Sequence, residues 1–136
     1  MDITSFSNEY AFLANTFNEE ITVDDLTYSN AESAFWAQRI KDPKARRKLT
    51  HLSGTKAKAK AINCEPVENW ESKEYATMKR ILRIKFDKSK ELYQKLKETG
   101  SAQLINSNTY RDEYWGVYYG KGQNLLGKIL MEIRSE

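Results

Sequence analysis

Between Asn69 and Phe86 apolar side chains return at helical intervals, Tyr75, Met78, Leu82 and Phe86 in one series with Ile81 and Ile84 beside it. At 100° per residue these positions form one stripe of an α-helix, with charged residues opposite, so the segment has to lie against a core. Asn69 is a capping residue placed to open it. SKELYQKLKETG extends the pattern through Leu92 and Leu96 and is expected to stop at Gly100, a residue type that favours helix ends. A chain of 136 residues is long enough to cover such a stripe within one domain, residues 1–136.

The remaining elements are shorter. EEITVDDLTYSN alternates through Ile21, Val23, Leu26 and Tyr28 around Asp24-Asp25, which predicts a hairpin. Ser29 followed by Glu32 matches a capping box, and Ala34, Phe35, Ala37, Gln38 and Ile40 continue with helical spacing, so a helix is expected to start near Asn30. Asp42-Pro43 reads as an N-cap with proline at the first helical position, opening a basic helix that Ser53-Gly54 closes. The structure of TKAKAKAI is left open, since its alternate lysines cannot all share one helical face. QLINSN and WGVYYG read as two short strands bracketing RDEY, and a final helix carries Leu125, Leu126, Ile129, Leu130 and Ile133 inward. The fold class is α+β, helix-dominated, with short strands.

Composition excludes several function classes. Hydrophobic residues at 40% and charged residues at 30%, with six Gly and two Pro, describe a folded chain. One Cys and one His leave too few ligands for a cysteine- or histidine-based metal site, so neither a metal nor a cofactor is expected. No apolar run reaches 18 residues and the first residues lack a signal-peptide core, which predicts a cytoplasmic protein with no membrane contact. Nothing points to an obligate protein partner. The net charge of +3 is too small to argue for nucleic acid, yet Lys and Arg crowd between Arg39 and Lys60 with Asp42 as the only acid there. Such a run is ordinarily a solvated face; it would also attract a phosphate-bearing ligand.

The closing stretch YRDEYWGVYYGKGQNLLGKILMEIR, Tyr110 to Arg134, places aromatics, a carboxylate and a Gly-Lys-Gly turn ahead of an apolar helix. With FLAN (Phe12 to Asn15), YSNAESAFWAQR (Tyr28 to Arg39), NWESKEYATM (Asn69 to Met78) and KETGSAQLI, it resembles the NADAR, or YbiA-like, family over nearly the whole chain. Asp112, Trp115, Gly116, Gly120, Gly122, Asn124, Leu125 and Gly127 all fall on the family pattern. The chain departs from it at Ala14, where serine is usual, Trp36, where glutamine is usual, and Arg39, where lysine is usual; Lys60-Ala61 stands where a glycine-arginine pair is common. The resemblance implies N-glycosidase chemistry on ribosyl or ADP-ribosyl compounds, either a riboflavin-pathway intermediate or ADP-ribosylated guanine. The expected substrate is a small nucleotide or ribosyl phosphate, with ADP-ribosylated DNA as a further candidate.

Breaking a sugar C1′–N bond passes through an oxocarbenium-like state, which a carboxylate stabilises while water is activated and the base departs. Glu32 and Asp112 are the two carboxylates at family positions, and Glu32 is assigned as the principal catalytic group with Asp112 assisting or binding ribose hydroxyls. The plainer alternatives are that Glu32 closes the capping box with Ser29, and that Asp112 is an Asx-type turn residue. Trp115 is a candidate base-stacking platform or a core residue. Gly120-Lys121-Gly122-Gln123-Asn124 leads into a helix, so Gly122 and Asn124 either offer open amides to an anion or form only a turn and N-cap, with Asn124 or Gln123 capping; Gly116, in the WGVYYG strand, is a substrate-contact candidate by its family position. Asn15 is a candidate hydrogen-bond partner for ribose or base. Arg39, two turns beyond Glu32, is placed either to meet a phosphate or to form an internal ion pair, and Trp70 is a substrate contact or a helix-start anchor. The alternative function from another class is a non-catalytic module that binds ADP-ribose or NAD. A basic nucleic-acid-binding protein ranks last, because no DNA-binding motif is present.

Overall fold

The computed structural model describes all 136 residues. It is α+β, with six short strands, six α-helices and one 3-10 segment, and it divides into two units: Asn15–Lys85, and Met1–Ala14 together with Phe86–Glu136. No helix is long and apolar enough to cross a membrane.

The unit of residues 15–85 opens with the expected hairpin, β2 (Asn18–Val23) and β3 (Leu26–Asn30), following β1 (Asp2–Ile3) of the other unit in chain order. Ile21 pairs with Tyr28, and both are fully buried. The turn works because Asp24 and Asp25 both take positive φ, 48° and 71°, the left-handed pair of a type I′ turn that aspartate tolerates. Helix α1 (Ala31–Arg39) follows at once. Its cap is Asn30 and not Ser29: Ser33 N donates to Asn30 Oδ1 at 2.8 Å. The frame is therefore one residue later than a Ser29–Glu32 capping box requires, which leaves the Glu32 carboxylate for other partners.

Helix α2 (Pro43–Arg47) has the predicted entry, with Lys44 N donating to the Asp42 side chain at 3.0 Å, but it is one turn long. Ser53-Gly54 does not end it. Ser53 instead accepts from Lys56 N and caps α3 (Gly54–Ala61), so TKAKAKAI is helical. Gly54, Ala57 and Ala61 form the narrow buried stripe of α3 and all three lysines stay exposed, which resolves the conflict that their alternation posed. Helix α4 (Trp70–Lys85) buries Trp70, Met78, Ile81, Leu82 and Lys85, while Tyr75, expected on the stripe, is exposed. α1 packs against α3 and α4, and α4 against β2.

Lys85 is the one unexpected member of this core. It is fully buried, its Nζ lies 5.7 Å from the Phe17 ring centroid, and burial lowers its pKa from 10.5 to about 7, with Glu19 opposing the shift. Because the folded pKa lies below the unfolded one, the unfolded chain binds more protons between pH 7 and 10.5, and stability rises with pH through that window. The gain is up to about 1.4 kcal/mol per pH unit. Lys85→Met keeps the stem and removes the titration, so wild type should gain stability relative to the variant between pH 7 and pH 9 in urea unfolding. Equal changes in both proteins would contradict this.

The other unit pairs β1 (Asp2–Ile3) in parallel with β4 (Gln103–Leu104) and buries Phe12 and Leu13 from the 3-10 segment Asn8–Leu13. The chain leaves the helical path at Phe86–Lys90, where Ser89 N and Oγ donate to Asp87, so α5 (Glu91–Glu98) is a separate helix and not an extension of α4. It ends, as expected, just before Gly100, which takes φ +65°. Only Val117–Tyr118 of WGVYYG is a strand, β6, paired with β5 (Ser107–Asn108). Helix α6 (Leu125–Ser135) buries Leu126, Gly127, Ile129, Leu130 and Ile133, with Leu125 half-buried.

Candidate active site

The candidate residues fall into two groups, one in each unit. In residues 15–85 the centre is Glu32, half-buried in the first turn of α1. Its backbone N donates to Asn15 O at 3.0 Å. Its carboxylate accepts from Trp36 Nε1 at 3.1 Å and from Asn15 Nδ2 at 3.4 Å. The start of α3 rests on its stem: a Cβ on Gly54 would stand 2.8 Å from Glu32 Cβ and Cγ and 2.9 Å from Thr16 Cγ2, so only glycine fits without displacement. Glu32 therefore lies in the first turn of α1 with its stem against the first residue of α3.

Asn15, expected to meet ribose or base, is buried, donating to Glu32 on one side and facing Met78 Sδ at 3.4 Å on the other. Its Oδ1 is buried with no hydrogen-bond partner. An orphaned acceptor of this kind costs about 1 to 3 kcal/mol and is tolerated where an arrangement serves something besides stability.

Two other candidates in this unit have structural roles. Trp70 is buried, its ring 5.3 Å from Phe35, and anchors the start of α4 against α1. Arg39 neither forms the internal ion pair nor turns toward Glu32. Its Nη1 donates to the carbonyls of Ala61 at 2.6 Å and Cys64 at 3.2 Å, closing the C-terminal end of α3, whereas Glu32 meets the first residue of that helix. Seven residues of α1 separate the two, about 10 Å of helix rise.

In the other unit, Asp112 forms the Asx-type turn: Tyr114 N and Trp115 N donate to its Oδ1 at 3.0 and 2.9 Å. Oδ2 lies outside these bonds. Trp115 is half-buried, its ring 4.9 Å from Tyr114. Across residues 114–119 only Gly116 is buried; Tyr114, Trp115, Val117 and Tyr118 are half-buried and Tyr119 is exposed, so Trp115 is not a fully buried core residue.

The turn into α6 is no anion cradle. Gln123 N, Asn124 N, Leu125 N and Leu126 N donate to the carbonyls of Glu113, Gly116, Tyr114 and Trp115 at 2.7 to 3.2 Å. The amides of Gln123 to Leu126, which open the helix, are thus spent on the preceding loop. Gly116 and Gly122 permit this approach, since a Cβ on Gly116 would strike the Asn106 carbonyl and one on Gly122 the Gly116 carbonyl. Asn124 fastens β4, accepting from Asn106 N and donating to Leu104 O, both at 2.9 Å.

A family model for the NADAR domain matches residues 2–136. The chain belongs to the NADAR family. Among its NADAR relatives, the N-glycosidase YbiA of Escherichia coli strain K12 is 35% identical over 97% of this chain and 84% of its own length. The Riboflavin biosynthesis protein VVA0006 of Vibrio vulnificus is 29% identical over 93% of this chain and 35% of its own. The NMR structure of the E. coli protein YbiA superposes with a TM-score of 0.85 at 33% identity, covering 99% of this chain and 82% of that one.

Sequence reasoning missed two residues around Glu32, Trp36 and Gly54, and, away from them, the buried Lys85 of α4. The first had a signal, since positions 32 and 36 are four apart on a helix and therefore neighbours. Gly54 looked like a helix terminator, and nothing in the pattern distinguished Lys85 from a solvated lysine.

Proposed function

We propose that the N-glycosyl bond hydrolysed by this enzyme joins C1′ of a phosphorylated ribosyl or ADP-ribosyl group to the nitrogen of a base, with Glu32 as the catalytic carboxylate. The observation that carries this is the environment of Glu32. Its carboxylate is not consumed in capping α1, two side-chain donors orient it, and its stem is wedged by Gly54. That arrangement suits a negative charge held in place for a cation that develops only during reaction. The C1′–N bond breaks with its electron pair leaving on nitrogen, the oxocarbenium-like sugar is stabilised by Glu32, and the oxygen of water bonds C1′. Glu32 accepts the proton that water loses and the departing nitrogen takes up a proton, so the net change is one water added across the bond.

A phosphorylated substrate is favoured by the exposed Lys56, Lys58 and Lys60 on α3, the helix whose first residue touches Glu32. The name of the Vibrio relative favours a ribosylamino phosphate of the riboflavin pathway within that class. Asp112 has one oxygen committed to its turn, so its proposed contact with a ribose hydroxyl uses Oδ2, and Trp115 is the proposed stacking surface for a base.

The test offers the riboflavin-pathway ribosylamino phosphate, NAD and ADP-ribosylated guanine in DNA to the enzyme and follows free base by mass spectrometry. Release from the ribosylamino phosphate is the expected result. Ligand-induced thermal stabilisation by ADP-ribose or NAD with no base released from any of the three would overturn the assignment in favour of a binding module.

A further inference from the structure

We infer that Trp36 is the positioning residue of Glu32: its indole N–H fixes the direction of the carboxylate, and turnover depends on that hydrogen bond. The inference rests on the reading of Glu32 as the catalytic carboxylate.

Glutamate reaches its carboxylate through three rotatable bonds, and holding such a side chain in one rotamer costs up to about 2 kcal/mol of conformational freedom. In this protein both ends are held. Gly54 confines the stem at Cβ and Cγ, and Trp36 Nε1 donates to Oε2 at 3.1 Å, a shorter bond than the 3.4 Å one from Asn15. The contact follows from helix geometry, since side chains lean toward the N-terminus and bring residue 36 over residue 32.

Trp36 is itself immobilised. Its ring meets Phe35 edge-on at 5.4 Å, Phe35 lies 5.3 Å from the buried Trp70, and the Lys58 ammonium sits over the indole at 5.7 Å. A core residue, Trp70, is thereby connected through two rings to one oxygen of Glu32. The indole offers a single N–H in a fixed direction, so it orients its acceptor more strictly than a flexible donor would. Trp36 is only half-buried, so filling the core does not account for so large a side chain at this position.

The experiment has a part that does not depend on turnover. In a 1H–15N spectrum the indole cross-peak of Trp36, assigned by its loss in Trp36→Phe, should move upfield in Glu32→Gln because a charged acceptor has been replaced by a neutral one. An unmoved peak would overturn the bond. With the riboflavin-pathway ribosylamino phosphate as probe, Trp36→Phe should lower kcat about tenfold with KM nearly unchanged, as befits the loss of one charge-assisted hydrogen bond. Trp36→Gln, which restores an N–H without the ring, should recover most of that loss.

Wild-type kcat in Trp36→Phe, or equal impairment of Trp36→Phe and Trp36→Gln, would overturn the positioning role while an inactive Glu32→Gln left the catalytic assignment standing. Full turnover in Glu32→Gln would instead sink the assignment of Glu32, and this inference with it.

Discussion

Glu32→Gln is expected to lower kcat by about three orders of magnitude, the upper range for losing a group that both takes a proton and stabilises charge. The same variant should remain within about 1 kcal/mol of wild-type stability, the ordinary range for a change that creates no cavity and no unpaired charge. The reason lies in the frame of α1. Asn30 caps the helix, so removing the Glu32 charge removes no cap, and the glutamine amide oxygen can still accept from Trp36. Steady-state kinetics beside a urea midpoint separate the two effects. More than a tenth of wild-type kcat in a folded variant would refute the catalytic role, and a large loss of stability would return Glu32 to a structural one.

Gly127→Ala is the substitution with the largest expected cost to folding, about 3 kcal/mol, the range of severe overpacking. Gly127 lies in the first turn of α6, and a Cβ there would overlap the Leu104 carbonyl and both side-chain polar atoms of Asn124. Neither can yield cheaply. The Leu104 carbonyl belongs to β4 and accepts from Asn124 Nδ2, while Asn124 Oδ1 accepts from Asn106 N. The added methyl must push helix and strand apart and break the bonds that join them. Urea unfolding measures this directly, and a loss under about 1 kcal/mol would show that α6 is not clamped to β4 as described.

The parts of this fold that were legible in the sequence are those in which local chemistry and tertiary demand agree. The hairpin followed from alternation around Asp24-Asp25, and α4 from its apolar stripe, because burial of one face sets the period of the pattern. The errors arose where two local signals competed. Ser29 and Glu32 have the spacing of a capping box, but Asn30 is an equally good cap one residue later and takes the position. Ser53-Gly54 read as a terminator, yet serine is also a good N-cap residue and Ser53 caps α3, whose first residue packs on Glu32, a contact invisible along the chain. The division between α4 and α5 at Asp87–Ser89 was hidden because the apolar spacing happens to continue across it.

The candidate site was legible to a similar depth. Glu32 and Asn15 meet, a contact that the sequence did not announce, since Asn15 was expected to face ribose or base. The amides before α6 looked available to a phosphate from GKGQN alone, and only the return of the 113–116 carbonyls shows that they are taken. Arg39 was placed on the Glu32 face by its spacing, yet the carbonyl end of α3 captures it first. In both instances backbone groups from a neighbouring segment outcompeted a ligand for the same donors, and composition carries no record of that competition.

The central claim is hydrolysis at C1′ with Glu32 as the group that activates water. It is tested most directly by running the wild-type reaction on the riboflavin-pathway ribosylamino phosphate in 18O-labelled water and weighing both products. The account predicts one 18O in the released ribose phosphate, none in the free base, and no labelled product from Glu32→Gln. Label in the base, or labelled sugar formed equally by Glu32→Gln, would contradict it.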